Sequence, residues 1–233
     1  MVDLTREMAG LWAALGSAPA HRGRVIQFAS AGTGEGVSTV AREFARLAAV
    51  RARRATWLID ADLAQQGQQD AIAAELGRFG KLGPAAAASP DGSIFYAVTP
   101  PVMGRDNRPV PPSRLMTARA CLGGRLWVTR FRSESLRSGQ RAEPVDDPRY
   151  WDILRRHADT VVIDSPAADR NDMAITLAPF VDATVLVVAA GTTSADQPVI
   201  LRDEIEAVGG RIAGVVMNRS TYKPPSFLKR LAG

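Results

Sequence analysis

Near-continuous apolar runs of four to seven residues recur along this chain, spaced by stretches whose apolar positions return every three or four residues. Residues 25–28, 56–59, 160–163, 183–189 and 212–217 are the runs. Runs of this kind suit strands buried on both faces of a parallel sheet. After the first run, Val40, Phe44, Leu47 and Ala48 share one face of a helix that starts at Ser38, with arginines on the other face. A second helix is predicted over residues 149–157. A third spans residues 194–208, with Pro198 in its first turn and Gly209-Gly210 ending it. Strands alternating with helices through right-handed crossovers give an α/β fold: a doubly wound, mainly parallel sheet with helices on both faces.

The middle of the chain breaks this rhythm. Residues 77–124 hold Pro84, four successive alanines at 85–88, Pro90, Pro100-Pro101, Pro109 and Pro111-Pro112. One strand-like piece, residues 94–98, interrupts them, and order resumes with a strand at 126–128. The stretch reads as an irregular, partly ordered Pro/Ala-rich insertion on the rim of the sheet. A helix is expected within residues 1–20, where Leu11, Trp12 and Leu15 form an apolar stripe for packing on the domain or a neighbouring subunit. Residues 221–233 read as a flexible tail. With 233 residues, the chain is expected to form a single domain around one sizeable core.

Composition narrows the class. The lone cysteine, Cys121, excludes an intramolecular disulfide framework and fits a reducing compartment. No signal core is visible, and the best apolar stretch, residues 180–191, is short and interrupted by Asp182. A cytoplasmic protein is expected, at most peripheral at the inner face of the membrane. The formal charge of +5 comes from arginine, since only Lys81, Lys223 and Lys229 are lysines. An acidic partner or membrane surface suits it better than nucleic acid, because aromatic interleaving is absent. His21 and His157 have no companions for zinc, and no nucleophile elbow supports a hydrolase.

The chemistry concentrates at a glycine-rich turn. Residues 31–39 read A-G-T-G-E-G-V-S-T between a strand and a helix, against the phosphate-loop pattern G-x-x-x-x-G-K-[ST]. Backbone N–H groups of such a loop cradle phosphates, and the helix N-terminus favours an anion. Val37 stands where the pattern has lysine. Asp60, Asp62 and Asp164 follow apolar strands, so they are expected at the carboxyl ends of the sheet, where ligands of open α/β folds bind. There Ser38, Asp60 and Asp164 would serve Mg²⁺, which keeps several waters and takes only one or two carboxylates. Gly32, Thr33, Gly34, Glu35, Gly36, Val37, Ser38 and Thr39 form the candidate nucleotide cradle. Tyr222, near the end of the chain, is a candidate phosphoacceptor.

Together V-I-Q-F-A-S-A-G-T-G-E-G-V-S-T, W-L-I-D-A-D-L and T-V-V-I-D-S-P-A resemble the Walker A, A′ and B motifs of the bacterial tyrosine kinases, a branch of the deviant-Walker ATPases. F-V-D-A-T-V-L-V-V and G-V-V-M-N match the remaining strands, and Asn218 falls where the superfamily often contacts adenine. The resemblance covers residues 22–78 and 126–220. It implies a P-loop NTPase-type fold, ATP or ADP with Mg²⁺, and a transmembrane polysaccharide co-polymerase or chain-length protein as partner. It also implies self-association, and a role in exopolysaccharide or capsule synthesis and export.

Four departures bear on activity. Val37 replaces the lysine, and Gly32 the second lysine of the partitioning branch. Ala64 replaces the A′ arginine. The oligomerisation helix is reduced to Glu7-x-x-Gly10-x-x-Ala13, and the tyrosine tail to Tyr222. Arg22, Arg24 and Arg42 are nearby cations that could stand in. On these grounds Asp60, Asp62 and Asp164 read as vestigial or weak catalytic positions. Three functions stay open: an impaired kinase-like regulatory subunit, an atypical ATPase or autokinase completed by a partner, and a ParA/MinD-like positioning ATPase.

Overall fold

A computed structural model describes residues 4–16, 18–19, 21–191 and 193–219. Tyr222 and the basic C-terminal residues lie outside the described residues. The first half of the chain runs α1 (Thr5–Ala14), β1 (Arg24–Ala29), α2 (Val37–Arg51), β2 (Ala55–Asp60), α3 (Gln68–Ala74), α4 (Leu76–Phe79), β3 (Ala85–Ala87) and β4 (Tyr96–Thr99). It continues through β5 (Met116–Cys121), β6 (Leu126–Phe131), β7 (Arg141–Pro144), α5 (Arg149–His157), β8 (Ala158–Asp164), α6 (Met173–Leu177), β9 (Ala183–Ala189), α7 (Gln197–Ala207) and β10 (Ile212–Asn218).

The central sheet has eight strands in the order β10-β9-β1-β8-β2-β6-β5-β3. The strands from β10 to β6 pair in parallel, and β5 joins β6 antiparallel. The apolar runs are two-sided because both faces are covered. Ile26, Phe28, Leu58 and Val162 pack with Met8 of α1, Val40 and Phe44 of α2, and Ile72 of α3. Their sequence neighbours Val25, Trp57, Ile59, Val161 and Ile163 point the other way, towards Trp151 and Leu154 of α5 and Leu177 of α6. Leu201 and Ile205 of α7 close that second face beyond β1. The N-terminal stripe packs within the chain, with Trp12 5.8 Å from Phe44 between ring centroids.

The stretch between residues 77 and 124 carries more order than its prolines suggest. β5 and β3 extend the sheet past β6 by antiparallel pairing, while β4 pairs with β7 in a separate ribbon. β5 reads M-T-A-R-A-C, an alternation that buries Met116 and Ala118. The strand-like piece lies at Tyr96–Thr99. Its anchor is aromatic: Phe95 lies 5.3 Å from both Tyr150 and Trp151, and Tyr96 lies 5.0 Å edge-on from Phe131. The Tyr96 hydroxyl donates to the Pro112 carbonyl at 2.6 Å. These rings join the insertion to the α5 face of the sheet.

Trp151 is fully buried at that junction, whereas Leu76 is 55% exposed. Trp151→Ala is expected to cost about 3–5 kcal/mol of stability and Leu76→Ala about 0.5 kcal/mol or less. Urea denaturation midpoints check the pair; equal shifts would contradict the packing described.

Candidate nucleotide site

A cavity of about 210 Å³ opens at the carboxyl ends of β1, β2 and β8. Its walls include Thr33 to Thr39 from the glycine loop, Asp60, Asp62 and Gln65 from the turn after β2, and Asp164 to Ala167 with Arg170 from the turn after β8. The volume falls below the roughly 300–1,000 Å³ of a whole small-molecule pocket. It suits the phosphate end of a ligand whose remainder lies outside.

Local backbone explains the loop. Gly36 adopts a φ of 93°, in the left-handed region, and a Cβ there would lie 2.1 Å from the Asn218 side-chain nitrogen. Gly34 also has positive φ, at 85°. Only glycine takes both roles without strain. No described side chain caps the N-terminus of α2, which leaves the Val37 and Ser38 N–H groups for an anion, while the Thr39 amide turns back to the Gly36 carbonyl at 3.1 Å. Ser30 braces the turn by donating to the Gly32 carbonyl at 3.0 Å.

The acids do different work from one another. Asp60 and Asp164 are register partners across β2 and β8 and are almost fully buried. Asp60 accepts hydrogen bonds from the Gly67 and Gln68 amides at 3.0 and 3.1 Å on one oxygen, and from the Asp62 amide at 3.3 Å on the other. It therefore fixes the turn that leads into α3. Asp164 receives the Gln68 side-chain amide at 2.6 Å on one oxygen, while its other oxygen is buried with no hydrogen-bond partner among the described residues. Gln68 also donates to the Ser38 carbonyl at 2.9 Å, binding the acid to the start of α2. Asp62 accepts the Ala64 and Gln65 amides at 3.1 and 2.8 Å on one oxygen and Arg170 at 2.6 Å on the other.

Burial, reinforced by the neighbouring Asp164 charge, pushes the Asp60 carboxyl up to about 8. Burial raises Asp164 to about 6 against the pull of Gln68 and the Ser38 hydroxyl. A dication would relieve both. Asp164, with its unpartnered oxygen, and the neighbouring Ser38 hydroxyl fit Mg²⁺, which would neutralise phosphate charge there. The oxygens of Asp60 are already committed to the turn. The described residues hold no group of three or more acidic, Cys or His ligands able to hold a metal ion. A cation here would complete its coordination with phosphate and water.

Two expected ligand contacts fall elsewhere. Asn218, expected at an adenine ring, instead donates to the Glu35 carbonyl at 2.8 Å and supports the loop from behind. Gly32 braces the turn without lining the cavity. Val37 does reach the wall, but it is 7% exposed and packs into the apolar cluster beneath α2. None of the three nearby arginines lines the cavity, although Arg42 reaches the Gln68 that holds Asp164 and its charge acts on that carboxyl. Arg22 pairs with Asp182 at 2.9 Å, Arg24 lies 4.1 Å over the Trp12 ring, and Arg42 donates to Gln68 at 3.2 Å.

Gln68, Asp169 and Arg170 fall outside the residues that the sequence singled out, whereas Glu35 belongs to the candidate cradle. Gln68 holds the buried acid, and Glu35 turns into the loop, where Thr193 donates to it. Asp169 clasps Thr33 through the backbone and hydroxyl, each at 2.8 Å. Arg170 is the single positively charged side chain among the described lining residues. Only the D-R pair six residues after Asp164 hinted at it.

The glycine loop, the parallel sheet and the acids at its carboxyl edge define a P-loop NTPase-type fold. No family model matches the sequence, and no curated protein matches it. Solved structures do share the fold. The VpsO kinase domain superposes with a TM-score of 0.53 at 20% identity, covering 85% of this chain and 86% of that one. The kinase domain of the Escherichia coli tyrosine kinase ETK gives 0.57 at 16% identity, covering 88% and 70%. The septum site-determining protein MinD from Pyrococcus horikoshii, complexed with Mg-ADP, gives 0.56 at 15% identity, covering 89% and 76%.

The raised carboxyls make stability fall with increasing pH. An unfolded aspartate titrates near roughly 3.9, so the folded protein holds more protons above that value. The pair's contribution is present below the unfolded value and is lost as pH rises through about 6 and then about 8. Melting temperature is expected to decline across this window, with a shallower slope in Asp60→Asn and partial recovery on adding Mg²⁺ at the alkaline end. Identical slopes in parent and variant would contradict the assignment.

Proposed function

We propose that this chain is a degenerate tyrosine-kinase-like P-loop protein that binds Mg²⁺-nucleotide with little or no autokinase activity. In this reading it is a regulatory subunit at the cytoplasmic side of exopolysaccharide or capsule synthesis and export. The observation that carries the reading is the state of position 37. The loop around it keeps Gly34 and Gly36 in the left-handed region and its helix N-terminus, while Val37 packs into apolar core where a lysine would reach the phosphates.

Magnitudes separate binding from catalysis. One charge-assisted hydrogen bond is worth roughly 1.5–3 kcal/mol, or about 10- to 100-fold in affinity. A backbone cradle with Mg²⁺ tolerates that loss. Phosphoryl transfer relies on positioning and charge neutralisation, and a single cation is worth about 10³–10⁵ in rate. Asp62, with both oxygens engaged, is also poorly placed to accept a proton from an acceptor hydroxyl.

The cell-envelope role rests on the resemblance of the G-E-G-x-S-T loop to the tyrosine-kinase branch, while the kinase-domain neighbours support the fold alone. The partner in this reading is a transmembrane co-polymerase or chain-length protein. Among the described residues no helix is long and apolar enough to cross a membrane, so this chain's described part would meet that partner peripherally.

Calorimetry is expected to show Mg-ATP and Mg-ADP binding by the purified protein, while incubation with radiolabelled ATP leaves tyrosine unlabelled. Val37→Lys is expected to tighten Mg-ATP by about 10- to 100-fold. Rapid Mg²⁺-dependent labelling of Tyr222 would overturn the impaired reading. Salt-sensitive DNA binding, without capture of a polysaccharide-export membrane protein, would favour a positioning ATPase.

A further inference from the structure

We propose that Arg170 is the cation that meets phosphate in this cavity, supplying from the turn after β8 the charge that the glycine loop lacks, with Asp62 holding it in place. This rests on the nucleotide-binding reading above.

The backbone fixes where Arg170 begins. After β8 the chain runs back along the phosphate loop: the Ala168 amide donates to the Ser30 carbonyl at 2.9 Å, and the Asp169 amide to the Ala31 carbonyl at 3.1 Å. The Asp169 carboxylate then grips Thr33 through its amide and hydroxyl. Residue 170 is thus tied to the loop whose missing charge it would replace. A cation carried on an independent surface loop would lack this registration.

The side chain is fixed at its far end as well. Arg170 Nη1 donates to Asp62 Oδ2 at 2.6 Å, and Asp62 is itself immobilised by two backbone amides on its other oxygen. A guanidinium carries five N–H donors in a rigid planar fork. Among the described residues the Asp62 bond is the one hydrogen bond to this guanidinium, which stays 28% exposed on the cavity wall. The rest of the fork is open to an anion while the ion pair stays intact.

The lining is acidic even with Asp60 raised to about 8 and Asp62 paired to Arg170, so a cation on this wall favours an entering anion. Glu35, Asp60, Asp62 and Asp164 share the lining with one cation. Phosphate entering that ring without Arg170 would meet surplus negative charge with only backbone dipoles and Mg²⁺ to offset it. A purely structural ion pair would stabilise the two turns equally well outside the cavity; this one forms part of its wall.

Calorimetric titration with Mg-ATP tests the assignment on the parent protein, Arg170→Gln, Arg170→Lys, Asp62→Asn and the Asp62→Asn/Arg170→Gln double variant, with melting of each ligand-free protein as a folding control. Arg170→Gln is expected to weaken Mg-ATP by about 10- to 100-fold, and Arg170→Lys to fall between, since it keeps charge without the fork. The decisive comparison is made in the Asp62→Asn background. Removing Arg170 there is still expected to weaken binding about tenfold or more if it touches phosphate. No loss in that background would mean that Arg170 merely neutralises Asp62, and the proposal would fall. Parental affinity in Arg170→Gln would also sink it while leaving the nucleotide reading intact. Absence of Mg-ATP binding by the parent would remove both.

Discussion

Asp60 and Asp164 face each other across the register of β2 and β8, both buried, and the charge of one raises the cost of ionising the other. Paired acids inside a sheet edge are destabilising unless backbone amides, side-chain amides or a cation answer them. The surrounding architecture supplies the answers. Asp60 is absorbed by the amides that open α3, and Gln68 leaves α3 to satisfy half of Asp164 and to hold the carbonyl of Ser38. One buried oxygen on Asp164 is left over, beside the N-terminus of α2. The glycine loop, the turn after β2 and the turn after β8 all converge on that unmet demand.

Charge has been redistributed around this point. The loop position that would deliver a lysine instead contributes Val37 to the core beneath α2, which strengthens packing and removes a cation. Among the described lining residues the positive group is Arg170, which arrives from the turn after β8 and is held by Asp62. A ligand with phosphates would find dipoles on one wall and the Arg170 guanidinium on the other, with Arg219 bound to the Gly34 carbonyl at the loop. Such an arrangement suits occupancy better than transfer, because transfer needs charge delivered at the reacting phosphoryl group.

The sheet and its ligand-binding edge were legible because buried parallel strands read as apolar runs ending in aspartate, and because a glycine loop before a helix has few alternative uses. The insertion was less legible. β3 is a three-residue antiparallel edge strand of alanines, β5 beside it alternates instead of running apolar, and Phe95 and Tyr96 signal burial only once Tyr150 and Trp151 are beside them. Site details failed for a related reason. Gln68, Asp169 and Arg170 act through contacts across 96, 136 and 108 positions of sequence, which no local spacing encodes. Asn218 was visible as the end of a strand, yet its side chain serves the loop carbonyl of Glu35.

The central claim is that the three turns form a phosphate cradle completed by a cation at Asp164 and Ser38. A crystal structure with Mg²⁺ and a non-hydrolysable ATP analogue tests it most directly. The account expects phosphate oxygens on the amides of residues 34–39, with the metal on Asp164 and Ser38. Nucleotide bound away from the cavity, or a loop whose amides turn from the phosphates while Asp164 keeps its bare oxygen, would contradict it.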